Sequence, residues 1–138
     1  MIDALDHIAI AVPNIDDAIQ NWQRKTGAQV THREHVAAQG VYVAFLALAD
    51  FRIELIAPDS DSSSVAKFLE KRGPGLHHIA IKSQNGQELL DELANKDTKL
   101  INSTLRPGAE NTMVGFAHPS AFDGVLVEIV EHPGAKGE

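Results

Sequence analysis

Leu5-Asp6-His7-Ile8-Ala9-Ile10 returns 71 residues later as Leu76-His77-His78-Ile79-Ala80-Ile81. The same offset relates Asn14 to Asn85, the helical run 16–25 to 87–96, and Phe45 to Phe116. Towards the end of each half the pattern slips by three residues. Ile53-Glu54-Leu55-Ile56 then matches Val127-Glu128-Ile129-Val130, and a proline follows each (Pro58, Pro133). Isolated identities arise by chance, but matched order across an entire half-chain marks a duplicated structural unit.

Both copies predict the same order of elements. An apolar strand (5–12, 76–83) leads into an amphipathic helix. The first helix is expected from Asp16 to Thr26, with Ile15, Ala18, Ile19 and Trp22 at helical spacing, Asn14 or Asp16 as cap and Gly27 as stop. The second is expected from Gly86 to Asn95, with Leu89, Leu90 and Leu93 facing inward. Three strands follow in each copy, at 29–35, 41–49 and 51–57, then at 98–104, 112–118 and 124–131. Residues 59–64 form a polar connector, residues 65–71 a short helix closed by Arg72-Gly73-Pro74-Gly75, and the Gly- and charge-rich tail after Pro133 is expected to fray. One copy has too few elements to bury its own core. The expected fold is therefore α+β: one domain over 1–138, of two tandem βαβββ half-modules (about 1–72 and 73–133). Together they make a curved mixed sheet around a cavity that takes the ligand.

Strand side chains alternate between faces. His7, Ala9 and Ala11 point one way and Ile8, Ile10 and Val12 the other. The bulky face is expected in the core, and the small face lining something open. His78, Ala80 and Lys82 repeat the pattern. Glu54 lies between Ile53 and Leu55, and Glu128 between Val127 and Ile129. A carboxylate within so apolar a run is costly to bury unless it is paired or bound to a metal. A single histidine opening a strand is usually structural, and a single strand glutamate usually solvated. A quartet with one His and one Glu at equivalent places in each copy is a different matter. His7, Glu54, His78 and Glu128 make an N2O2 set suited to a divalent ion such as Co, Ni, Mn or Zn, with positions left for water or substrate. His77 points to the opposite face from His78 and reads as structural or as support for a ligand. His32, His35, His118 and His132 have no repeat partner and read as loop, strand-end or substrate-side residues.

Composition narrows the rest. The chain has 138 residues, 43% hydrophobic and 22% charged, which is one globular domain. It has no cysteine, so a metal must sit on His, Asp or Glu, and an intracellular, cytoplasmic location is expected. The formal net charge of -7 demotes nucleic acid as a partner. Lys67, Lys71, Arg72 and Arg106 are available to a phosphorylated small molecule, although each alone reads as solvated surface. No apolar run reaches bilayer length, and the opening MIDALDHIAIAV reads as a first strand rather than a targeting peptide.

On these motifs the sequence resembles the vicinal oxygen chelate superfamily, which includes glyoxalase I, extradiol dioxygenases and bleomycin-resistance proteins. The resemblance is strongest to its methylmalonyl-CoA epimerases and covers nearly the whole chain. It rests on Leu5–Val12, Gln39-Gly40-Val41, Ile53-Glu54-Leu55-Ile56-Ala57-Pro58 and the 65–71 helix. In the second half it rests on Gly75-Leu76-His77-His78-Ile79-Ala80, Phe116-Ala117-His118-Pro119 and Gly124-Val125-Leu126-Val127-Glu128. The resemblance implies His7, Glu54, His78 and Glu128 as metal ligands, with Glu54 at a place some epimerases fill with glutamine. It implies an acyl-CoA substrate, a homodimer, and inversion at C2 of methylmalonyl-CoA. In that reaction the metal acts as Lewis acid toward the enolate, and Glu128 and Glu54 move the proton. Two departures stand out. Val43 follows Gln39-Gly40-Val41 where some epimerases carry a glutamate, and Ser120 follows His118-Pro119 where lysine is common. The same two-glutamate set also serves a glyoxalase I reaction. A metal-free binding protein has no need for all four residues, and an extradiol dioxygenase uses only three ligands.

Overall fold

The structure is a computed structural model and describes residues 2–134. Residues 135–138, on which most of the expected fraying falls, lie outside the described residues. The element order is β1 (Ala4–Ala11), α1 (Ile15–Thr26), β2 (Gln29–Val36), β3 (Val41–Leu48), β4 (Phe51–Pro58), α2 (Ser64–Arg72), β5 (Gly75–Lys82), α3 (Gly86–Asn95), β6 (Arg106–Pro107), β7 (Met113–Ala117) and β8 (Val127–Glu131). The α+β class and the two βαβββ copies are as the repeat predicts. By contacts the chain forms two compact units, His7–His77 and the described residues of Met1–Asp6 with His78–Glu138.

In the first unit the strands lie in the order β2-β3-β4-β1. β1 runs parallel to β4, and the other neighbours are antiparallel. Asn14 caps α1, its Oδ1 accepting from Asp17 N–H at 3.0 Å. Gly27 ends it at φ 72°, a conformation in which glycine has no Cβ to clash, and its N–H donates to Gln23 O. Asp16 and Asp17 in the first turn and Arg24 and Lys25 in the last match the helix dipole. The inner stripe of α1, Ile15 and Ile19 with Ala18 and Trp22, packs on Ala44, Leu46, Leu55 and Ala57 of β3 and β4. α2 starts at Ser63, whose Oγ accepts from Val65 N–H.

The second unit repeats the order as β5-β8-β7-β6, again with one parallel pair, β5 with β8. Leu89 and Leu90 of α3 pack on Ile129, with Ile81, Leu93, Leu100 and Leu105 around them. Asn85 does not cap this helix as Asn14 does. Instead Gly86 N–H donates to Glu131 Oε1 at 2.8 Å. Leu90 is fully buried, so Leu90→Ala is expected to destabilise the chain by about 2–5 kcal/mol, read as a lowered urea midpoint at unchanged slope.

Three expectations need correction. The strand expected over 98–104 does not form; β6 is only Arg106–Pro107, and Leu100 makes one isolated bridge with Ala117. Polar side chains there take over backbone partners. Asn102 Oδ1 accepts from Phe116 N–H, while Gln87 donates to Ser103 O and accepts from Leu105 N–H. The last strand starts at Val127 rather than 124, because Asp123 (φ 55°) and Gly124 (φ 91°) turn the chain. On β1 the bulky face packs into the core as expected, through Ile10 and, just past the strand, Val12 against the α1 cluster, but the small face is closed rather than open, with Ala9 and Ala11 both fully buried.

Candidate active site

The first unit brings His7 and Glu54 together, with His7 Nε2 at 3.3 Å from Glu54 Oε1. The second unit brings His78 and Glu128 together at the same 3.3 Å, Nε2 to Oε1. The sheets explain the match. Parallel pairing sets Ala9 beside Glu54 and Ala80 beside Glu128. Antiparallel pairing sets Phe45 beside Glu54 and Phe116 beside Glu128. The histidine two residues before each alanine is therefore on the glutamate's face. The three-residue slip of the repeat is absorbed between β7 and β8, by the 118–126 loop, and leaves this register intact.

Each pair stands in a closed environment. His7, Glu54, His78 and Glu128 are between 4% and 7% exposed. The phenylalanines hold the imidazoles edge-on: His7 lies 5.2 Å from Phe45 at 84°, and His78 lies 5.2 Å from Phe116 at 89°. Sequence reasoning found Phe45 and Phe116 only as repeat partners. Their signal was that they share the offset of the histidines, and their role is to fix the ring planes.

The pairs fit a divalent ion. A charge-assisted N–H···O bond sits at about 2.7–2.9 Å. Two ligand atoms about 2.1 Å from one ion, at roughly 100° to each other, stand about 3.2 Å apart. The observed 3.3 Å agrees with ligation better than with a direct bond. Imidazole and carboxylate are also the donors that Co, Ni, Mn and Zn accept.

The remaining histidines have other duties. The His77 ring packs on Phe68 with centroids 4.8 Å apart. His35 stacks on Tyr42 and pairs with Asp59 at 2.9 Å. His118 Nδ1 accepts from Ser120 N–H and so starts a short turn of 3-10 helix. His132 Nε2 meets Asp6 Oδ1 at 2.5 Å. His32 Nε2 meets Glu34 Oε1 at 2.8 Å, a pairing that His-x-Glu spacing on one strand makes possible and that sequence reasoning did not assign. Of the basic residues, Lys67, Lys71 and Arg72 share α2, where the Arg72 guanidinium lies over the Phe68 ring.

Paired βαβββ modules with a buried histidine–glutamate pair in each define a vicinal oxygen chelate protein. The chain belongs to the glyoxalase/bleomycin resistance protein/dioxygenase superfamily, which it matches over residues 6–116. Within that superfamily it stands close to the methylmalonyl-CoA epimerases. It is 35% identical over 131 residues to the ethylmalonyl-CoA/methylmalonyl-CoA epimerase of Cereibacter sphaeroides, covering 94% of this chain and 98% of that one. It is 40% identical over 133 residues to the uncharacterized protein YqjC of Bacillus subtilis, covering 96% and 95%. Its fold is similar to that of a variant Streptomyces coelicolor methylmalonyl-CoA epimerase in complex with 2-nitronate-propionyl-CoA. The TM-score is 0.92 at 28% identity, over 97% of each chain. Among the described residues no helix is long and apolar enough to cross a membrane.

Proposed function

We propose that the chain is a divalent-metal-dependent methylmalonyl-CoA epimerase. In this reading the two modules act as one domain, and His7, Glu54, His78 and Glu128 hold a single ion. The observation that carries it is the repetition, to the same 3.3 Å and the same register, of a buried His–Glu pair in each module. Two preserved half-sites make chemical sense if each supplies half of one ligand set. When bound, the ion supplies Lewis acidity toward the thioester and carboxylate oxygens of the substrate.

The chain's own groups then move the proton. Glu128 takes or returns it on one face of C2. Glu54 is the second carboxylate of the set and would serve the other face. Burial of both raises the strength of every charge interaction around them. The acyl-CoA substrate is inferred from the epimerase relatives. A homodimer belongs to this reading, since β2 ends its sheet with an open edge and an unpaired edge favours pairing with another chain.

The test is α-proton exchange. Cobalt-loaded protein with (2R)- or (2S)-methylmalonyl-CoA in deuterated water is expected to lose the C2 proton signal by NMR and to give both epimers. A cobalt-loaded protein that exchanges neither epimer, yet turns over the glutathione hemithioacetal of methylglyoxal, would overturn the reading in favour of a glyoxalase.

A further inference from the structure

His32 and Glu34 stand two residues apart on β2 and so share a face. The register fixes which face it is. His32 pairs with Phe45 and Phe45 with Glu54; Glu34 pairs with Val43 and Val43 with Ile56. Side chains directly opposite in a sheet lie on one side of it. Glu34 is therefore a second carboxylate on the face that carries Glu54, two strands across and two residues along, or about 12 Å at the backbone. The floor between them is apolar: Val43 and Ile56 are both buried. The His32 ring also lies beside Phe45, 6.4 Å between centroids, on the ring that holds His7.

Chemistry separates the two carboxylates. Inversion needs a proton acceptor on one face of C2 and a donor on the other. If Glu54 and Glu128 both had to leave the ion, half of the ligand set would turn over in every cycle. Glu34 carries no such conflict. Its side chain is 33% exposed and bonded to an imidazole that is 34% exposed, so a proton it accepts has a path to solvent. The side chain of Glu54 is 9% exposed.

We propose that Glu34 is the second proton-transfer group of the epimerisation, that His32 is its positioning residue, and that Glu54 stays a ligand. This rests on the epimerase reading and revises one assignment within it. The Glu34 carboxylate takes the α-proton. The C–H bond breaks, its electron pair spreads over the thioester and carboxylate oxygens of the substrate, and Glu34 becomes the neutral acid. Protonated Glu128 gives its proton to the opposite face, the new C–H bond forms, and Glu128 becomes the carboxylate. One proton then leaves Glu34 through His32 to solvent, and one returns from solvent to Glu128. The reverse direction exchanges the roles.

The test follows each epimer separately by NMR in deuterated water, with cobalt-loaded wild type, E34Q and E54Q. In E34Q, inversion is expected to fall at least 100-fold while one epimer still takes up deuterium with retention, by way of Glu128. The visible cobalt spectrum should match wild type in E34Q and change in E54Q. His32→Gln should lower kcat about tenfold with KM within twofold. Inversion by E34Q within threefold of wild type overturns the proposal and leaves Glu54 as the second base. Loss of exchange from both epimers in folded E34Q with an unchanged cobalt spectrum overturns it as well. Should E34Q not fold, E34D must show slowed inversion biased to one epimer, and unbiased, full-rate inversion by E34D has the same overturning force. A wild type that exchanges neither epimer sinks the epimerase reading instead, which keeps the two failures distinct.

Discussion

Glu128→Ala is expected to lower α-proton exchange of methylmalonyl-CoA by at least about 10³-fold for both epimers. Loss of a general acid–base group alone costs about 10²–10⁴-fold. Glu128 in the proposed site is also a ligand, so its removal strikes the ion as well. The side chain is 7% exposed and faces His78 Nε2 at 3.3 Å, and alanine leaves that imidazole without its carboxylate in a closed space. Bound cobalt should therefore fall together with exchange. His77→Ala is the control. Its ring packs on Phe68 rather than on a carboxylate, so exchange and cobalt content should stay within about threefold of wild type. Loss of metal in His77→Ala but not in His78→Ala would show that the wrong histidine of the pair had been assigned.

Much of this was legible because a period-2 pattern and a duplication constrain each other. His7, Ala9 and Ala11 alternate with Ile8 and Ile10, which gives the strand, and the 71-residue repeat says that the strand is used twice. α3 was readable to the residue because Leu89, Leu90 and Leu93 leave only one helical face to bury. Residues 98–104 were not, since the apolar Leu100 and Ile101 signal a strand while the bonds that prevent one come from Asn102 and from Gln87, sixteen residues from Ser103. Local propensity carries no information about such a partner. The small face of β1 was misjudged for a similar reason, as alanine in a strand reads equally as a cavity wall and as a close contact. For the site, sequence gave four residues by symmetry. It could not give Phe45 and Phe116 a role, or show that Glu34 faces the same side as Glu54, because both depend on which strands are neighbours and in what register.

His7→Ala and His78→Ala should be nearly equivalent, and that equivalence decides whether the repeat builds one site or two. If the four side chains share an ion, metal analysis of wild type finds one ion per chain. Either substitution then weakens binding at least about 100-fold, beyond the roughly 10–100-fold typical of a lost outer partner. A ligand present at 100 times its Kd stabilises a folded chain by about 2.7 kcal/mol, worth several degrees in Tm for a chain of this size. Chelator should therefore lower the Tm of wild type by that amount and leave both variants nearly unmoved. The contrary result is just as concrete. If each His–Glu pair held its own ion, wild type would bind two, and His7→Ala would keep one of them with its affinity and half of the stabilisation intact. The 3.3 Å spacing suits a pair of adjacent ligands in either case, so only stoichiometry and the matched loss separate the two. One ion per chain with two matched losses is what a duplicated module that supplies half a ligand set must give.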